Sequence, residues 1–348
     1  VLTFYNEQHG QHRVRHELIR GTATPPRDGP DRIETVLAEL GRRGLGRIVT
    51  PHGVPLMSLE RVHRPRYLHF LRTAWGEWLA QAPANATRDA FASHFPVRGM
   101  RADIEPDDFG ARLGLYSIDT VTPLTAGTWT AAKTGADCAV NAAHALRVGE
   151  RSTFALTRPP GHHAGPDYFG GGCYLNNAAL AAQHLLDDGL QRVAILDLDY
   201  HHGSGTQAIF YERADVLCLS IHAEPRSAYP FYCGHADETG GGAGLGYNAN
   251  LVLPAGAPNA HAWFTALETA CVRLSMYRPD ALVVALGANT FLGEAHGGFG
   301  LQGGDYLRLG ERLAWLNLPT CFVFEGGSAL RELGTNIVNV LEGFETAL

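Results

Sequence analysis

Asp197-Leu198-Asp199-Tyr200-His201-His202-Gly203 follows directly on the apolar run Val193-Ala194-Ile195-Leu196, and this junction decides the fold. A short uninterrupted apolar run reads as a strand of a parallel sheet buried on both faces. Strand alternation sends Asp197, Asp199 and His201 toward one side, at the carboxyl end where open α/β sheets keep their sites. Two carboxylates and an imidazole in that position make half of a metal site.

Working outward, short apolar runs alternate with amphipathic stretches, the pattern of a mostly parallel sheet covered by helices on both faces. Strands are expected at Arg47–Thr50, Thr153–Thr157, Val193–Leu198, Val216–Ile221, Ala281–Leu286 and Cys321–Phe324. Helices are expected at Gly127–Val148, Asn176–Asp188, Ala260–Met276 and Gly304–Leu316. With 348 residues, 45% of them hydrophobic, and no evident linker, the chain reads as one domain over residues 1–348. The stretch from about 82 to 125, rich in Pro, Arg and Asp, suits a long loop excursion from that core.

A formal charge of −7 with 28 basic residues offers no broad basic face, which argues against nucleic acid and suits cationic substrates. The six cysteines lack CxxC spacing and read as reduced thiols, so a cytoplasmic location is expected. No run approaches 18 apolar residues and no signal-peptide pattern is evident, so no membrane partner is expected.

Other strand ends carry unusual residues. His162 and His163 stand in the Pro- and Gly-rich loop Arg158–Gly165, and imidazoles held rigidly there suit proton transfer near neutral pH. Gly287-Ala288-Asn289-Thr290 and Glu325-Gly326-Gly327-Ser328 close two further strands.

Taken together and in order, RPPGHHAG (158–165), GGGCYLNNAALAAQ (170–183), ILDLDYHHGSGTQAIFY (195–211), LSIHAEP (219–225), ALGANTF (285–291) and FEGG (324–327) resemble the histone deacetylase superfamily. The likeness is strongest to its bacterial acetylpolyamine amidohydrolase branch. It implies an arginase-deacetylase α/β fold in which a catalytic Zn²⁺ at the bottom of a tunnel polarises an amide and acidifies water. By the same resemblance Asp199 and His201 are two zinc ligands and Asn289 takes the third place. His162 and His163 become the general acid/base pair, with Asp197 fixing His162. Asp197, Asp199, the His201 carbonyl, Ser220 and Ile221 would surround a structural K⁺, with a second cation site around Phe210, Arg213 and Val216. Gly170–Gly172 and Tyr229 would line the tunnel. The 82–125 excursion would narrow the channel and help form a homodimer. Glu17 and Glu105 fall near positions where the branch places carboxylates for polyamine nitrogens; the alternative is that both are solvated surface acids.

The sequence departs from the family pattern at the apparatus itself. Asn289 stands for an aspartate ligand, and a neutral amide is the weaker donor. Ser328 stands for the catalytic tyrosine and is too short to reach the same oxyanion. Ser204 replaces the Asp or Asn that supports His163, Gly172 replaces a tunnel aromatic, and Glu294-Ala295-His296 replaces an Asp-Pro. Three readings follow: slow hydrolysis of a small acylated amine through zinc held by Asp199, His201 and Asn289 or by a recruited Glu294 or His296; a pocket that binds without turnover; or different chemistry in a biosynthetic pathway. With Asp199 as the sole anionic ligand, a zinc site would carry a net positive charge and repel cationic substrates near the metal.

Overall fold

The strands that deliver these motifs lie side by side. The computed structural model describes residues 1–97, 99–256, 259–295 and 297–348. Its strands are β1 Leu2–Phe4, β2 Glu17–Ile19, β3 Thr22–Thr24, β4 Arg47–Val49, β5 Ser152–Ala155, β6 Val193–Asp197, β7 Val216–Ala223, β8 Asn248–Leu253, β9 Ala281–Leu286 and β10 Thr320–Phe324. Eight of them form one sheet in the order β4-β1-β5-β10-β9-β6-β7-β8, and every pairing in it is parallel. β2 and β3 form a separate antiparallel hairpin.

The helices are α1 Asp31–Arg43, α2 Leu56–Glu60, α3 Pro65–Gln81, α4 Phe109–Leu115, α5 Thr128–Arg147, α6 Asn177–Asp187, α7 Ser204–Phe210, α8 Ala260–Tyr277, α9 Gly303–Ala314 and α10 Leu330–Thr346. Strand periodicity divides the core into two layers. Val193, Ile195, Val283, Ala285, Cys321 and Val323 face a layer built with α3, α5 and α6. Ala194, Leu196, Val284, Leu286, Phe322 and Phe324 face the layer built with α1, α8, α9 and α10. Both layers exclude water, which is why these strands read as continuous apolar runs.

Each expected strand and helix is present, with ends shifted by at most two residues. The strand after Ala194 ends at Asp197 rather than Leu198, so Asp199 and His201 lie in the turn beyond it. The 82–125 excursion carries a short 3-10 turn and α4, and a bridge between Ala90 and Leu124 draws its two ends together. All six cysteines are free, five of them buried. Among the described residues no helix is long and apolar enough to cross a membrane.

Candidate active site

β5, β10, β9 and β6 are consecutive in the sheet, so the loops leaving their carboxyl ends meet over one point. The turn after β6 is shaped by its own side chains. Asp197 Oδ1 accepts the Asp199 N–H at 3.0 Å, and Asp199 Oδ1 accepts the His201 N–H at 2.9 Å. Such side-chain-to-backbone bonds two residues on curl the chain without glycine.

His162 and His163 are 97% buried and their rings lie 4.0 Å apart. His162 Nδ1 bonds Asp197 Oδ2 at 2.9 Å, and His163 Nδ1 bonds Ser204 Oγ at 3.1 Å. Burial disfavours charge on both rings, and their partners then separate them. Asp197 and Asp199 outweigh the burial of His162 and push it up to about 10. His163 has a neutral hydroxyl partner, and burial together with the His162 and His201 charges holds it well below the usual imidazole range. A neutral base beside a protonated acid is the division of labour that acid–base catalysis requires. Asp197→Asn is expected to lower the His162 pKa well below about 10, read by NMR titration of the ring nitrogens. A ring still protonated at pH 9 in that variant would contradict the assignment. Because the folded pKa is raised, the pair's contribution to stability is complete below about pH 6.5 and is lost as pH rises through about 10.

Asp199, His201 and Asn289 do converge. Asp199 Oδ1 lies 3.3 Å from His201 Nδ1 and accepts the Asn289 Nδ2–H at 2.7 Å; Nδ2 is 3.4 Å from His201 Nδ1. The Asn289 carbonyl oxygen is taken by the Tyr200 N–H at 2.9 Å, which fixes the amide orientation. Turning the amide over would set two N–H groups against each other. The corner facing Asp199 and His201 is therefore an amide nitrogen, a donor with no lone pair for a metal. The three side chains do not fit a three-ligand zinc site. Asp199 is satisfied without one: its Oδ2 also accepts the Gly326 N–H at 3.0 Å, and despite burial the His162 and His201 charges hold its carboxyl far below the usual range.

Ser328, at the place of the family's catalytic tyrosine, is engaged by Glu294. Its hydroxyl and N–H both donate to Glu294, as does the Ala329 N–H at 3.1 Å, so Glu294 caps the entry to α10. Glu294 is thereby committed and is not a substitute metal ligand; His296 lies outside the described residues. Glu325 lies deeper. Its Oε2 accepts the Gly161 and His162 N–H groups, Oε1 has no partner among the described residues, and burial pushes it up to about 7.

The pocket wall matches expectation at Tyr229, whose ring meets His163 edge-on at 4.9 Å and His201 at 6.3 Å. A Cβ on Gly171 would lie 2.2 Å from His163, so the backbone touches the histidine there. Gly172 has open space on its side-chain face, with a single neighbour at 4.0 Å, but at φ +77°. The residue the sequence reading missed is Asp119. It accepts the Tyr229 hydroxyl at 2.7 Å and the Gly171 N–H at 2.6 Å, and so sets both walls. Glu17 departs from both expectations, whereas Glu105 is exposed, as the surface-acid alternative has it. Glu17 is buried and bonded to the Arg27 backbone and guanidinium, so it is neither a free acceptor nor a solvated acid. Glu105 accepts the Tyr116 hydroxyl, which ties the excursion to the core. Asp197 and Ser220 line one small cavity of about 10 Å³ with His202, Gln207, Asn248 and Asn250, beside Ile221 on β7. Its carboxylate and hydroxyl oxygens suit a monovalent cation.

Residues 27–344 match the model of the histone deacetylase domain. The chain is 48% identical over 345 residues to acetylpolyamine amidohydrolase 2 of Pseudomonas aeruginosa, covering 99% of each. It is 41% identical to acetylpolyamine amidohydrolase of Mycoplana ramosa, again over 99% of each. The solved acetylpolyamine aminohydrolase from Burkholderia pseudomallei superposes with a TM-score of 0.94 at 36% identity, covering 99% of both chains. The agreement runs along the whole length in sequence and in fold, and the chain belongs to the histone deacetylase family, closest in kind to its acetylpolyamine amidohydrolases.

Proposed function

We propose that this protein takes a small acylated amine into the pocket walled by Gly171, Tyr229 and His163, and hydrolyses it far more slowly than an intact site of this family would. The carrying observation is Asn289, whose oxygen serves the Tyr200 N–H while its nitrogen faces Asp199 and His201. Zinc, the ion the family implies, would supply carbonyl polarisation and an acidified water. Asn289 offers it no third lone pair. What the chain retains is proton handling. Neutral His163 can accept a proton from water, and protonated His162 can deliver one to the departing amine. Support for the amine comes from the relatives named as acetylpolyamine amidohydrolases and from the formal charge of −7. We extend the reading to a monovalent cation such as K⁺ in the cavity lined by Asp197 and Ser220.

A second reading, binding without turnover, is favoured by Glu294, which holds the Ser328 hydroxyl away from the reacting carbonyl. Calorimetric titration with a monoacetylated diamine, alongside turnover and metal counting, separates the two. Expected are saturable binding, slow but measurable release of acetate, and one more zinc equivalent in Asn289→Asp than in the native chain. No binding at millimolar ligand, or native turnover equal to that of Asn289→Asp, would sink the proposal. Binding with no acetate released would select the second reading.

A further inference from the structure

We propose that His144, His184 and Asp188 form a second, surface site for a divalent transition metal of the Zn²⁺ or Ni²⁺ type, independent of the pocket. α5 and α6 pack along each other and end at the same place, so His144 in the last turn of α5 meets His184 and Asp188 at the end of α6. His184 and Asp188 are four residues apart and share a helix face. One oxygen serves both rings: Asp188 Oδ2 lies 3.2 Å from His144 Nδ1 and 3.4 Å from His184 Nε2, and all three ligand atoms fall within 4.8 Å of one another. A tetrahedral ion with bonds near 2.0–2.1 Å holds its ligand atoms about 3.3 Å apart. The two measured separations are edges of that size.

A separate observation points to a missing partner. His184 Nε2 is shielded from solvent and makes no hydrogen bond among the described residues. It has the distance to the carboxylate but not the direction of a bond, and a buried ring nitrogen left in this state costs free energy. An ion between the two rings and the carboxylate would satisfy it. Two imidazoles and one carboxylate suit the borderline metals rather than Mg²⁺ or Ca²⁺. The carbonyl ends of two helices also gather here, which favours positive charge. The neighbouring charges leave the carboxylate free: Arg147 donates to the Asp188 carbonyl, and Asp187 is engaged by Arg61 and Gln183. His144 is 59% exposed, so a fourth position is open to water.

Equilibrium dialysis of the full chain against Zn²⁺, with bound metal counted by mass spectrometry, tests this. The native chain is expected to hold one equivalent that His184→Gln loses or binds at least about tenfold more weakly. His144→Gln, an exposed change on the other helix, is expected to show the same loss with an unchanged circular dichroism spectrum. Both variants keep Asp199, His201 and Asn289, so the count does not depend on the pocket. Either variant retaining the native stoichiometry overturns the proposal and leaves the three residues as an ordinary ion pair.

Discussion

Changing Asn289→Asp together with Ser328→Tyr is expected to raise the rate of amide hydrolysis by about 10³-fold or more, measured as turnover of a monoacetylated diamine in the presence of zinc. The first change works through geometry already present. One carboxylate oxygen keeps the Tyr200 N–H, and the other replaces the amide nitrogen that now donates to Asp199. Two carboxylates beside the His201 ring then repel each other until a cation separates them, so a hydrogen-bonded corner becomes a metal site. The second change restores a donor to the developing oxyanion, worth about 10²–10³ in rate, or roughly 3–4 kcal/mol. The backbone at position 328 stays held, because Glu294 accepts two main-chain N–H groups besides the serine hydroxyl. Ser328→Tyr alone should gain little, since a phenol stabilises an oxyanion only if one forms. The two changes therefore combine more than additively. A double variant that binds stoichiometric zinc in the pocket yet turns over no faster would shift the limitation to Ser204 or Gly172 and overturn the role given to Asn289.

The legible parts of this molecule are those where one physical demand dominates the local sequence. β9 was readable to the residue because Ala281–Leu286 is buried on both faces and admits only apolar side chains. β8 was not, because Asn248 and Asn250 point inward and are satisfied by Gln207, a polar pairing that looks like loop in one dimension. α10 was missed for its glycines. A Cβ on Gly343 would lie 2.1 Å from the Leu307 carbonyl on α9, and one on Gly334 would lie 2.4 Å from the Thr35 carbonyl on α1. Both lower helix propensity and both are required for close packing. At the site, the resemblance brought out His162 with Asp197 and His163 with Ser204, since each lies in a motif. Asp119 lies in none: it is a lone acid in a loop and meets its partner Tyr229 across 110 residues, while Glu294 stands out only as a departure from the pattern, with nothing to tie it to Ser328. Asn289 was read as a weakened ligand; only its bond to Tyr200 shows that its nitrogen faces the metal corner.

The second large effect expected is on stability. Arg158→Met should cost on the order of 3–5 kcal/mol in denaturant unfolding, because Arg158 is a buried charge that other buried groups depend on. It is 1% exposed, and its guanidinium donates to the His9 carbonyl at 2.8 Å, the His12 carbonyl at 2.9 Å, the Asp28 carbonyl at 2.8 Å and Asp28 Oδ1 at 3.2 Å. Asp28 also holds Arg32, which donates to the carbonyls of Glu325 and Gly327. Arg158, Asp28 and Arg32 thus fasten the histidine loop and the Glu325–Gly327 turn to each other and to the amino-terminal segment. Methionine fills similar volume but leaves the His12 and Asp28 carbonyls without a donor and takes one donor each from the His9 carbonyl and Asp28 Oδ1. Burial would raise the Asp28 pKa, but Arg158 and Arg32 outweigh it and hold the carboxyl below its usual value. A depressed folded pKa contributes stability that is complete above the unfolded value of about 4 and is lost as pH falls through the folded one. Arg158→Met should therefore narrow its deficit as the pH is lowered past 4, since the native chain then loses the Arg158–Asp28 contribution that the variant lacks, while the Arg32–Asp28 pair is common to both. Unfolding free energies at pH 7 and pH 3 measure both effects. A loss under about 1 kcal/mol at pH 7 would mean that water reaches these groups and that the catalytic loop is anchored elsewhere.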